Sequence, residues 1–219
     1  MSDQFAVLVP VKPPAHGKSR LIGVTDQTRR DLAEAFALDT VTACLEAARV
    51  AEVLVVTDDA VLARAITALG AHALPDGAGD LNGTLRQSAA EARRRWGTSA
   101  IAAVCADLPT LRADELDAAL EAAAPILAHR GTAFLADAAG VGTTLYCAGP
   151  EDFDPRFGGG SRAAHREAGA VELAVEVPTA RRDVDDLLDL RAALPLGLGR
   201  RTTQAVSAAG LSAGLLADP

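Results

Sequence analysis

Between Phe5 and Pro109 the chain passes three times from a short apolar run to a longer segment with helical spacing, an order that few folds can absorb. Phe5 to Val11 reads as a buried strand. The helical segment "TDQTRRDLAEAFALDTVTACLEAARV" follows, with Leu32, Phe36, Val41 and Leu45 along one side and Thr25 or Asp26 able to cap its start. "AEVLVVT" is a β-branched strand ending at Asp58 and Asp59, and "AVLARAITALG" is a helix closed by Gly70. "AHALP" supplies another short strand, the glycine-rich turn "DGAGDLNG" leads to the helix "TLRQSAAEARRRWG", and "AIAAVCADLP" is a central strand that breaks at Asp107 and Pro109. Strands alternating with helices over short connections predict an α/β fold: a mostly parallel sheet with right-handed crossovers and helices on both faces. Ligands of such sheets bind beyond the carboxyl ends of the strands. The loop after Val11, Asp58, "GDLNG" and "ADLP" all fall there.

The rhythm changes after the helix "ADELDAALEAAAPILAHR". "TAFLAD", "GTTLYCA" and "AVELAVEVP" read as strands with much less helix between the first two, which suits a mixed sheet with an added antiparallel segment. The expectation is one domain over residues 1–219, with the tail from about 197 onward a short amphipathic helix at its periphery.

Composition narrows the function classes. A formal net charge of −8 argues against a general nucleic-acid binder, so any phosphorylated ligand needs locally gathered cations. No apolar run approaches the roughly 18 residues of a membrane span, and no basic segment with a long apolar stretch opens the chain, so a cytoplasmic protein without membrane partners is expected. Cys44, Cys105 and Cys147 are widely spaced and read as reduced core residues, not as a disulfide framework or zinc site.

Against that acidic background, "FAVLVPVKPPAHGKSRL" places Lys12, Lys18 and Arg20 just beyond the first strand. Its Gly17-Lys18-Ser19 ending invites a P-loop reading. Lys12, however, stands where the first glycine belongs, and Pro13 and Pro14 remove N–H groups that a P-loop directs at phosphate. A cradle working through side chains, with lysine and arginine donating to phosphate oxygens, fits better than a P-loop, and a solvated basic loop is the plain alternative.

Asp107 follows a buried strand and suits a hard cation such as magnesium, or else it caps the turn. In "RRDVDD", Asp183 and Asp185 are two apart, so in extended backbone they point the same way and can converge on the same ion; Asp185 can equally be the N-cap of "DLLDLRAAL". In "FDPRFGGGSRAAHREAG" three glycines precede Ser161, where a helix opens with N–H groups free for a phosphate or carboxylate, unless Ser161 is an ordinary cap on a flexible connector. Arg156, Arg162, His165 and Arg166 make that neighbourhood cationic, and His165 can face the same ligand as Ser161. Thr143 and Thr144 are contacts for a carboxylate or simply strand formers, and Asn82 is a helix cap or a nucleotide contact.

As a set, "VPVKPPAHGKSRL", "GDLNGTL", "CADLPTL", "GTTLYCA", "DPRFGGGSRAAHREAGAVEL" and "RRDVDD" resemble, in order from Phe5 to about Leu190, the 2-phospho-L-lactate or phosphoenolpyruvate guanylyltransferases of deazaflavin coenzyme (F-420) biosynthesis. The resemblance implies a Rossmann-like nucleotide-diphospho-sugar-transferase fold. It further implies that GTP is joined to a small phosphorylated carboxylic acid, such as phosphoenolpyruvate, 2-phospho-L-lactate or 3-phosphoglycerate, with release of pyrophosphate. Carried over residue by residue, it implies that Lys12, Lys18 and Arg20 bind the GTP phosphates; Asn82, from its place before a helix, is the further candidate GTP contact. It gives Asp107, Asp183 and Asp185 to magnesium, and Thr143, Gly158 and Ser161 to the phospho-acid. The chain departs from the family in its "PPAHGKSRL" approach and in "GGGS", where relatives carry bulkier polar residues. Two other readings stand beside it: a nucleotidyltransferase of the same fold acting on a sugar phosphate or molybdopterin, and a non-catalytic nucleotide-binding regulator. A homodimer is left open.

Overall fold

The computed structural model describes residues 4–11 and 21–211. β1 (Phe5–Pro10) is apolar on both sides and runs through the middle of the sheet, with Phe5, Val7 and Val9 entering one core and Ala6 and Leu8 the other. Parallel to it lie β2 (Val50–Val56) on one flank and β4 (Ile101–Val104) on the other, and β3 (His72–Leu74) extends the sheet beyond β2. The added segment is antiparallel as expected: β6 (Thr143–Ala148) runs against both β4 and β5 (Ala133–Ala136). With β7 (Val171–Glu172) beside β5, the order is β3-β2-β1-β4-β6-β5-β7.

Helices cover both faces. α1 (Asp26–Glu46), α2 (Ala60–Leu69) and α4 (Ala113–Ala128) seal the core that holds Val7 and Val9, and α3 (Leu81–Trp96) seals the other through Leu85, Ala89 and Ala92. Their ends follow local chemistry. Thr25 and Asp59 accept N–H bonds at the starts of α1 and α2, and Gly70 ends α2 at φ 102°, a left-handed conformation that suits a residue without Cβ.

Two boundaries differ from the sequence reading. Asp80 caps α3 by accepting from Gly83 N–H, so Asn82 sits inside the first turn and is not the cap. The strand expected from "AVELAVEVP" stops after Glu172: the Arg181 guanidinium donates to the carbonyls of Leu173, Val175 and Ala136, taking up oxygens a longer ladder would use, and Pro178 opens the short helix α6 (Pro178–Arg181). The tail forms a short helix with one buried side, Thr202 and Val206. After α5 (Ser161–Glu167) and α7 (Leu187–Ala193), α8 (Arg200–Ala208) packs on α1, where the buried Asp39 carboxylate accepts from Arg201 N–H and Thr202 N–H. The middle of α1 is therefore buried on several sides, which blurs the one-sided stripe read from its sequence.

Candidate active site at the carboxyl edge of the sheet

The reversal of β6 decides which groups meet. Because β4 runs antiparallel to β6, with Val104 opposite Leu145, the start of β6 lies at the end of β4; Cys105 N–H donates to the Thr144 carbonyl, and Cys105 Sγ–H to that of Thr143. β5 runs parallel to β4, so its terminal Asp137 reaches the same edge. The distant acidic segment is stitched on by backbone, Val184 N–H donating to the Asp107 carbonyl at 3.0 Å and Ala138 N–H to the Arg181 carbonyl at 2.8 Å. Asp107, Asp137, Asp183 and Asp185 thus share one edge. Asp137 escaped the sequence reading although it follows "TAFLA" much as Asp107 follows "IAAV"; its carboxylate accepts from Val141 N–H and Gly142 N–H and shapes the turn into β6.

Burial, then the charges of Asp107 and Asp137, with Asp185 adding less, push the Asp183 carboxyl up to about 7. Asp185 is not the cap of α7: Asp186 is, accepting from Leu188 N–H and Asp189 N–H. Among the described residues no three His, Cys, Asp or Glu side chains form a ready-made metal cage. Magnesium does not need one, since it takes one or two carboxylates and fills its remaining positions with water and substrate phosphate. A crowded set of hard oxygen donors that keeps one member partly protonated fits such an ion. The buried Arg182 Nε, next to Asp183, has no hydrogen-bond partner among the described residues.

Thr143, Gly158 and Ser161 lie in one neighbourhood. Ser161 N–H donates to the Gly158 carbonyl and Arg162 N–H to that of Val141, which docks α5 on the turn before β6; a Cβ built on Gly142 would lie 3.8 Å from Ser161 Oγ. Gly158 and Gly160 have φ of 138° and 72°, conformations strained for any residue with a side chain. Gly160 is the cap and Ser161 the buried first residue of α5, not the cap. Asn82 clamps the loop from α3, its Nδ2 donating to the Phe157 carbonyl and its Oδ1 accepting from Phe157 N–H, both at 2.9 Å.

The glycine neighbourhood is less cationic than its composition suggests. Arg156 pairs with Asp154, and Arg162 and Arg166 with Glu172. His165 faces the core and not a ligand, and burial brings its pKa down to about 4. On the same edge a cavity of about 190 Å³ opens beside the ends of β2 and β3, lined by Val56, Leu74, Pro75, Gly77, Thr84 and Ser88 among others. Lys12, Lys18 and Arg20 lie outside the described residues.

Residues 5–204 match the family model described as "Guanylyl transferase CofC like". The chain is 51% identical over 212 residues to the phosphoenolpyruvate guanylyltransferase of Streptomyces scabiei (strain 87.22), spanning 93% of this chain and 96% of that protein. It is 49% identical over 201 residues to the enzyme of the same name from Thermomonospora curvata, spanning 90% and 86%. A solved Desulfovibrio desulfuricans G20 structure, assigned to the nucleotide-diphospho-sugar transferases, superposes with a TM-score of 0.69 at 18% identity over 95% of this chain and 96% of that one. The expected fold is the one observed. No described helix is long and apolar enough to cross a membrane.

Proposed function

The chain belongs to the CofC-like guanylyl transferase family and is a nucleotidyltransferase, and from that premise we propose that it joins GTP to phosphoenolpyruvate with release of pyrophosphate. The observation that carries this reading is the bond between Val184 N–H and the Asp107 carbonyl, which holds "RRDVDD" against the end of β4 and gathers the carboxylates. Asp107, Asp183 and Asp185 would hold magnesium, which when bound supplies positive charge against the phosphates of both substrates.

The rest is the work of the chain. Lys12, Lys18 and Arg20 grip the GTP phosphates, and the nucleoside takes the cavity beside β2 and β3, against Thr84 and Ser88 of α3. Thr143, Gly158 and Ser161 hold the phospho-acid through hydroxyl and backbone N–H donors. A phosphate oxygen of the acid attacks the α-phosphorus of GTP, one P–O bond forms, the bond to the β-phosphate bridge breaks, and pyrophosphate leaves. That oxygen is already ionised at neutral pH, so no general base is required, and alignment of two repelling anions is what the site contributes. The product is a guanylylated phospho-acid of deazaflavin coenzyme F-420 biosynthesis, made in the cytoplasm. 2-Phospho-L-lactate and 3-phosphoglycerate are the competing acceptors. The test supplies purified protein with magnesium and GTP and each acid in turn: pyrophosphate appears with phosphoenolpyruvate and stops on chelation. Release with none of the acids contradicts the reading.

A further inference from the structure

We propose that His165 is a positioning residue that turns the Thr143 hydroxyl into a hydrogen-bond donor aimed at an anionic oxygen of the phospho-acid. The proposal rests on the assignment of Thr143 to that substrate. His165 is fully buried, its ring lying against Phe134 and Tyr146 at centroid distances of 5.4 and 4.8 Å, with Phe157 edge-on at 5.6 Å. Both ring nitrogens are engaged. Arg156 N–H approaches Nε2 at 2.8 Å, and since a backbone amide can only donate there, Nε2 must be the unprotonated nitrogen. The proton of the neutral ring then sits on Nδ1, which lies 3.0 Å from Thr143 Oγ1.

The threonine oxygen can therefore only accept from the ring, whose Nδ1–H also faces the Ser161 carbonyl one helical turn back. Its own proton is directed elsewhere, and among the described residues Thr143 Oγ1 makes no other hydrogen bond. A hydroxyl left to itself can turn either lone pair or proton toward a ligand; this one has its polarity fixed. The lowered pKa of His165 supports the neutral ring. The same imidazole holds Arg156 N–H, and Asn82 holds the next residue, so the approach to Gly158 is pinned from both sides. Binding an anion then needs no reorientation of either group, the pre-organisation expected of a specific acid site.

The first test reads the tautomer without turnover. Long-range 1H–15N spectra of the full chain at neutral pH, with His165→Phe identifying the signal, show a protonated Nδ1 and an unprotonated Nε2; the opposite pattern overturns the proposal. The second compares Thr143→Val, His165→Phe and the double variant, the phenylalanine keeping the ring stack while removing both nitrogens. Each single change raises the KM for phosphoenolpyruvate about tenfold with the KM for GTP within about twofold, and the double variant is no worse than the more damaged single one. Additive losses, or equal damage to both KM values by His165→Phe, sink the proposal. If Thr143→Val is damaging and His165→Phe is silent, only the role of His165 falls; if Thr143→Val is silent, the assignment of Thr143 falls with it.

Discussion

Asp183 carries the tension of the carboxylate edge, and its chemistry separates binding from stability. Its carboxyl sits at about 7 in the folded chain against 3.8 for an ordinary aspartate, so between those values the folded state binds the extra proton. Ionising Asp183 thus weakens the metal-free fold, fully above pH 7 and not at all below pH 3.8. Asp183→Asn should therefore leave the metal-free protein more stable at pH 8, by roughly 1–3 kcal/mol after allowance for partial exposure, with the gain fading toward pH 4 in denaturant titrations. The same change should lower turnover at least about a hundredfold. His165 has the opposite sign. Its pKa falls from 6.5 to about 4, so the unfolded chain takes up the proton first as pH drops and stability is lost through that window, by up to about 3 kcal/mol. Urea titrations at pH 6.5 and 4.5 should show a shallower pH loss for His165→Phe than for the parent.

Elements joined across long stretches of chain depend on single side chains that local patterns do not reveal. Asp39, in the middle of α1, satisfies the first N–H groups of α8, 162 and 163 residues away. Asp39→Ala should cost about 1–3 kcal/mol in chemical denaturation, and because Val206 of α8 shares a core cluster with Val184 of "RRDVDD", turnover should fall along with it. The helix ends at Thr25 and Gly70 were legible because cap chemistry is local, whereas Asp59, read only as the end of a strand, caps α2. The end of β7 was not: "AVELAVEVP" has strand-like residues throughout, and only the distant Arg181 guanidinium decides that its carbonyls leave the ladder. Likewise the sequence offered Asp185 and Asn82 as caps, and neighbours one and two positions away, Asp186 and Asp80, took those roles.

For the molecule as a whole, strand and helix alternation made the parallel half legible, and the change of rhythm after Arg130 made the antiparallel addition legible as a class. Which groups then met at one edge depended on β6 being inserted between β4 and β5, a pairing that spacing alone does not encode. That insertion puts Thr143 and Asp137 beside Asp107, and explains why motifs read separately along the chain converge while the cationic charge read around Ser161 is largely spent on Asp154 and Glu172. The central claim is that this edge transfers a guanylyl group to phosphoenolpyruvate. Its most direct test gives the purified protein magnesium, GTP and an equimolar mixture of phosphoenolpyruvate, 2-phospho-L-lactate and 3-phosphoglycerate, and weighs the products by mass spectrometry. The account predicts guanylylated phosphoenolpyruvate as the dominant product, matched mole for mole by pyrophosphate; a dominant adduct of another acid, or no adduct at all, would contradict it.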